Sequence, residues 1–312
     1  MKIKFLPIFC VFLLQVSVAS ANEKMTVLLD WFVNPDHATL VVAKEKGLFK
    51  KHGLDVELIA PADPSDPPKL VAAGKADLAI SYQPQLHLQV AQGLPLTRVG
   101  TLVATPLNTL LVLKDGPIKK LADLKGKKIG YSVSGVEEAL LSAMLKPAGL
   151  TIKDVTLINV NFSLSPSLIT GQVDAVIGAY RNFELNQMDI EGVPGRAFFV
   201  EEEGVPAYDE LIVIANSQKL SDPRLVPFMT ALEEAVQFLV NHPETSWELF
   251  LKNHKELDNE LNKRAWADTI PRFALRPAAL DVGRYNRFAE FLKAQGLIDT
   301  IPPVKDYAIA ID

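Results

Sequence analysis

Short apolar runs alternate along this chain with longer stretches in which apolar positions recur at helical spacing. Residues 25–30 (MTVLLD) read as a buried strand with its polar end at Asp30, and residues 37–46 as a helix stopped by Gly47. In the loop between them Pro35 disfavours a helical residue before it, while the side chain of Asp36 suits a helix start. Asp55 and Glu57 alternate with apolar residues in a strand at 54–59, and the proline-rich stretch 61–68 reads as loop. A short helix at 69–73 closes at Gly74, a strand follows at 76–80, a helix at 86–92 runs up to Gly93, and 97–104 and 108–113 supply two more strands. Strands and helices alternating at this spacing predict an α/β architecture with mostly parallel sheets, in which ligands bind beyond the carboxyl ends of the strands.

A second unit with the same grammar starts near Lys119. It holds a helical turn at 121–126, a strand at 128–131, the loop 132–138 entering a helix at 139–145, a strand at 155–159, a short helix at 165–170 and a strand at 173–178. The stretches 70–80 (LVAAGKADLAI) and 168–177 (LITGQVDAVI) share one shape: small helix, glycine, linker and an Asp-bearing strand. A further strand at 211–215 precedes a mainly helical region with apolar faces at 227–240, 246–252 and 285–295. No Gly/Ser linker separates the units, so the chain is expected to cross between two lobes near 113–116 and 206–210. The first lobe then comprises 22–113 and 211–312 and the second 114–210, with a cleft between them and crossings short enough to act as a hinge.

Ahead of the first strand, Lys2 and Lys4 precede an apolar run at 5–18 that ends in Ala19-Ser20-Ala21. A basic start, an apolar stretch short for a membrane span and small residues at its end describe a signal peptide at 1–21, cleaved after Ala21. The expectation is an exported chain, free in the periplasm. Cys10 is the one cysteine and lies in that leader, which excludes disulfides, a thiol nucleophile and cysteine-held metals from the rest. Removing Lys2 and Lys4 takes the 32 basic residues to 30 against 37 acidic ones, and no basic patch is interleaved with aromatics, so nucleic acid is not an expected partner. The histidines at 37, 52, 87, 242 and 254 lack close metal-ligand spacing, and neither a Gly-x-Ser-x-Gly nor a complete phosphate-loop pattern is present. No metal, no cofactor and no catalysis are expected.

Binding residues are expected at the strand ends. Trp31 follows a buried strand, where it serves either as core or as a flat face for a planar ligand. Asp30, Asn34, Asp36 and His37 surround it with groups whose burial without partners would be expensive. Tyr82 and Gln83 follow the 76–80 strand; Tyr180, Arg181, Asn182 and Glu184 follow the 173–178 strand. Aromatic planes, phenols, amides and a carboxylate describe a pocket for a flat polar heterocycle, in which Glu184 accepts from an exocyclic amine unless it pairs with Arg181. Gly135, at the end of Ser132-Val133-Ser134-Gly135, either lets backbone amides face an anion or forms a tight turn, the plainer reading.

These residues carry a resemblance. Leu29-Asp30-Trp31-x-x-Asn34-x-x-His37, Ala43-Lys44-x-x-Gly47-Leu48-Phe49, Gly53-Leu54-x-Val56 and Gly74-x-Ala76-Asp77-Leu78-Ala79 resemble the thiamine-pyrimidine precursor binding proteins of bacterial ABC importers, relatives of the fungal thiamine-pyrimidine synthase. The resemblance implies the two-lobed type II periplasmic-binding fold, a monomer, an importer permease as partner and a small heterocyclic ligand. It implies Trp31 and Asn34 at the pyrimidine, with Tyr82, Tyr180 and Glu184 on the facing walls. The family loop often reads Trp-Thr-Pro-Asn-x-x-His, whereas here Phe32 and Val33 stand in its second and third places, so Phe32 is expected to offer an apolar edge. The fungal synthase uses a cysteine-rich iron-binding stretch, an internal histidine and a pyridoxal cofactor; with no cysteine beyond the leader, this chain reads as a binder and not an enzyme. The implied ligand is a formylated or free aminomethylpyrimidine, ahead of a riboflavin precursor or other flat heterocycle, and of a sulfonate-like anion.

Overall fold

The computed structural model describes residues 22–311; the leader reading, at 1–21, lies outside the described residues. Ten strands form two five-stranded sheets. The first uses β1 (Glu23–Leu28), β2 (Leu54–Ile59), β3 (Leu78–Ser81) and β4 (Leu96–Val103); the second uses β5 (Asn108–Leu113), β6 (Lys128–Tyr131), β7 (Thr156–Asn159), β8 (Ala175–Tyr180) and β9 (Gly195–Phe199); and β10 (Leu211–Asn216) returns to the first. The spatial orders are β2-β1-β3-β10-β4 and β7-β6-β8-β5-β9. In each sheet four strands share a direction and one runs against them: β10 is antiparallel to β3 and β4, and β5 to β8 and β9. The opposed strand is in both cases the first one laid down after a crossing between sheets.

That arrangement corrects one boundary. Residues 108–113 were expected to close the first lobe, with the crossing at 113–116; β5 instead pairs with β8 and β9, and the chain crosses between Val103 and Asn108. The gap between the two strands is short enough to suggest a hairpin, but it contains Pro106, and Leu107 and Asn108 spend their amides on a carboxylate from the other crossing. The second crossing, between Phe199 and Leu211, includes the expected 206–210.

Helices cover the sheets: α1 (Ala38–Glu45), α2 (Leu48–Lys51), α3 (Pro67–Ala72), α4 (Gln83–Ala91), α5 (Val136–Leu145), α6 (Leu164–Ile169), α7 (Glu184–Ile190), α8 (Leu225–Asn241), α9 (Pro243–Leu251), α10 (Glu260–Thr269) and α11 (Val282–Gln295). Leu225, Phe228, Met229, Leu232, Val236 and Leu239 recur at helical spacing on the buried face of α8, which packs on α1 and stacks Phe228 on Phe49 at 5.1 Å. Gly100 on β4 permits the approach, since a Cβ there would lie 2.7 Å from Met229 Cε. Four elements escaped the sequence reading: the short helices α2 and α7, the strand β9 and the helix α10. β9 is a half-exposed edge strand interrupted by Arg196, and α10 is largely polar, burying Asn262, Ala265, Trp266 and Thr269 at helical spacing.

The C-terminal tail is fixed to the first sheet by a buried cation. Arg98 on β4 is fully buried and donates to the carbonyls of Pro277 (3.1 Å), Ala278 (3.2 Å), Ala279 (2.5 Å) and Ile309 (2.9 Å) and to Thr101 Oγ1 (2.8 Å). Main-chain dipoles thus solvate the guanidinium where water cannot. Arg98→Met keeps the apolar stem and removes the donors, leaving these carbonyls without that partner; denaturant titration is expected to show a loss of at least about 3 kcal/mol.

Candidate functional site

A cavity of about 40 Å³ opens where the carboxyl ends of β1, β3 and β8 meet the two crossings. β1 delivers Asp30, Trp31, Asn34 and Asp36; β3 delivers Tyr82; the end of β8 and the start of α7 deliver Tyr180, Phe183 and Glu184; the first turn of α5 delivers Glu137; and the crossings deliver Asn108, Tyr208 and Glu210.

Local chemistry fixes the first group. Asn34 is extended (φ −150°) and caps the 3-10 turn Pro35–His37: its Oδ1 accepts from the Asp36 amide at 2.8 Å, and its own amide donates to His37 Nδ1 at 3.3 Å. With Nδ1 accepting, Nε2 of a neutral His37 carries the proton and donates to Asp30 Oδ1 at 2.8 Å. Asp30 Oδ2 accepts from Tyr82 Oη at 2.9 Å, so a buried chain from His37 to Tyr82 orients the phenol at the cavity wall. Trp31 packs edge-on against Phe162, in the turn between β7 and α6, centroids 4.6 Å apart.

Among the described residues five carboxyls line this space, Asp30, Asp36, Glu137, Glu184 and Glu210, and no Lys, Arg or His does. Burial pushes Glu184 and Glu137 up to about 8, Glu210 up to about 7 and Asp36 up to about 6. Backbone amides offset part of this: Tyr180 N donates to Glu184 at 2.6 Å, Ser132 N to Glu137 at 2.7 Å, and Leu107 N and Asn108 N to Glu210 at 2.5 and 2.9 Å. Glu210 also receives Tyr208 Oη at 3.1 Å and, from across the cavity, Tyr180 Oη at 3.5 Å. Asp36 Oδ2 is buried without a hydrogen-bond partner among the described residues. Among the described residues no group of three His, Cys, Asp or Glu has metal-holding geometry.

Of the residues picked out in the sequence, Trp31, Asn34, Tyr82, Tyr180 and Glu184 reach the cavity; His37, Gln83, Gly135 and Asn182 do not. His37 stands behind Asp30. Gln83 faces the second crossing, its Oε1 accepting from Asp209 N at 2.8 Å. Asn182 donates to Asp36 Oδ1 at 2.6 Å and to Thr269 Oγ1 at 2.7 Å, tying the second unit to the first. The amide of Gly135 is taken by the Glu138 carboxylate. Arg181 forms a bidentate pair with Glu201 at 2.6 and 2.7 Å, so it does not pair with Glu184. Phe32 is 41% exposed at the rim, near Phe162 and Phe183. Glu137, Asn108, Tyr208 and Glu210 were not foreseen; Asp30 and Asp36 were noted only as neighbours of Trp31.

The chain is similar to several known proteins. A thiamine biosynthesis protein of Haemophilus influenzae is 56% identical over 94% of this chain and 93% of its own length. A formylaminopyrimidine-binding protein of Halalkalibacterium halodurans is 36% identical over 76% of this chain and 72% of its own. More distant relatives, at 24–30% identity, are named 4-amino-5-hydroxymethyl-2-methylpyrimidine phosphate synthases. Among solved structures, the alkanesulfonate-binding protein of Xanthomonas axonopodis pv. citri superposes with a TM-score of 0.71 at 18% identity, over 92% of this chain and 98% of that one, a likeness of fold. The chain has the two-lobed periplasmic-binding fold, and with residues 34–246 matching the model described as NMT1/THI5 like, it belongs to the NMT1/THI5-like family.

Proposed function

We propose that this chain is the solute-binding component of an ABC importer, active in the periplasm as a monomer, and that it takes a 4-amino-5-aminomethyl-2-methylpyrimidine, formylated or free. The observation that carries the reading is the lining: aromatic faces at Trp31, Tyr82, Tyr180 and Phe183 beside five carboxyls and no cation among the described residues. Aromatic planes suit a flat ring, and carboxyls suit exocyclic and ring nitrogens that donate. A sulfonate is poorly matched, because its charge would enter a low-dielectric space already holding like charge. The formylaminopyrimidine-binding relative, at 36% identity, supports the same ligand class. The synthase names among other relatives raise a catalytic reading, which release of an altered pyrimidine on prolonged incubation would favour.

Calorimetry on protein stripped of carried ligand tests the binding reading. Trp31→Ala is expected to cost about 1–3 kcal/mol of pyrimidine affinity, one stacking contribution, and to remove the ligand-dependent part of tryptophan emission. Glu184→Gln keeps the shape and removes the charge; it is expected to weaken the aminopyrimidine about tenfold while leaving riboflavin and taurine no tighter than about 1 mM. Taurine binding that strengthens in Glu184→Gln, with no pyrimidine bound, rejects the assignment.

A pH prediction follows from the raised acids. Carboxyls whose folded values exceed their unfolded ones contribute stability that is complete below the unfolded value and lost as pH rises through the folded one. The melting temperature of the ligand-free protein is therefore expected to fall between about pH 5 and pH 8 as Asp36, Glu210, Glu137 and Glu184 ionise. An amine-bearing ligand prefers the ionised acids, so its stabilising effect in thermal melts is expected to grow over the same interval.

A further inference from the structure

Helix α5 has ten residues and begins at the cavity, with the loop Ser132–Gly135 leading into it. Exposed main-chain amides at such a helix start form a cradle for phosphate. Here the amides of Ser132 and Gly135 are taken by the helix's own acids, and that of Ser134 by Ser65 Oγ at 3.2 Å. The Glu137 carboxyl, 4% exposed, receives the Ser132 amide at 2.7 Å, while Glu138 receives Gly135 N. Room for Glu137 comes from β8: a Cβ on Gly178, whose φ is +96°, would lie 2.2 Å from Glu137 Oε1. Two independent features, a helix acid turned back on its own cap and a glycine opposite it, hold one carboxyl where a phosphate would otherwise sit.

We propose that Glu137 makes this site select unphosphorylated pyrimidines, by filling with its own carboxyl the backbone cradle at the start of α5. The inference rests on the pyrimidine reading above. A phosphate ester entering here must displace Glu137 from the Ser132 amide and then lie beside Glu210 and Glu184 with no cation among the described residues lining the space to balance it. The unphosphorylated molecule avoids both costs and meets Glu137 as a further hydrogen-bond partner.

The test compares 4-amino-5-hydroxymethyl-2-methylpyrimidine with its phosphate ester by calorimetry, on the wild type, Glu137→Ala and Glu137→Gln. The wild type is expected to prefer the unphosphorylated form by about 100-fold or more, the scale set by an unbalanced charge in a buried site. Glu137→Ala frees the Ser132 amide and is expected to narrow that preference about tenfold through a gain on the ester, whereas Glu137→Gln, whose amide oxygen still occupies the cradle, stays near the wild-type ratio. Inorganic phosphate probes the cradle without any pyrimidine: it is expected to raise the melting temperature of Glu137→Ala and leave the wild type unchanged. Should Glu137→Ala fail to fold, Glu137→Ser gives the same readouts. A wild type that binds both pyrimidines equally, or a preference unchanged on removing Glu137, overturns the proposal. If neither pyrimidine binds the wild type, the pyrimidine reading fails, and the phosphate response alone still decides whether Glu137 fills an anion cradle.

Discussion

Two stretches of chain pass between the sheets, and a single carboxyl joins them. Glu210 lies on the second crossing and receives the amides of Leu107 and Asn108 from the first. Its neighbour Asp209 points the other way, where Thr101 Oγ1 donates at 3.0 Å, Arg284 adds a salt bridge and Gln83 holds the Asp209 amide. Successive residues of an extended segment face opposite sides, so one crossing is gripped by the first sheet through Asp209 and by its companion through Glu210. The cavity floor is therefore also the joint between the units. Whatever touches Glu210 acts on both.

The site is consequently not a pocket cut into a finished scaffold. Tyr82 is aimed by Asp30, which is held by His37, which is fixed by the amide of Asn34, whose side chain caps the turn that carries Asp36. Asp36 in turn is bonded to Asn182 from the second unit. Each polar group in this series is buried and depends on the next for satisfaction, which penalises small displacements more than apolar packing would. The acids facing the empty space are the exception. Their charged forms are poorly compensated by protein, and this is the kind of deficit a ligand with several donors removes.

Much of this was legible in the chain. Trp31, Tyr82, Tyr180 and Glu184 each follow an apolar run that ends in polar residues, and such an ending marks the carboxyl end of a strand whatever the tertiary detail. What could not be read is which polar neighbour faces inward. His37, Gln83 and Asn182 have the same composition signature as ligand contacts, yet they brace the site from behind, because the facing of a side chain on a turn or helix start is set by long-range packing. Glu137 and Glu210 were hidden for the opposite reason. Acids in the first turn of a helix read as dipole partners, and acids on a linker read as solvated; only the closure of long-range contacts buries them. The crossing was misplaced because strand pattern reports that 108–113 is extended without reporting its partners.

The strand order also dictates a sequence of assembly. Every strand of the second sheet lies between residues 108 and 199, so that sheet completes its pairing from one continuous stretch. The first sheet is different: β3 and β4 have no bond to each other and wait for β10, which emerges only after the whole second unit. Until it arrives, two buried strands present unpaired edges, the geometry most prone to pairing with the wrong chain. The later unit in the chain is thus the one whose sheet closes from a continuous stretch, while the N-terminal strands keep open edges until β10 pairs with both.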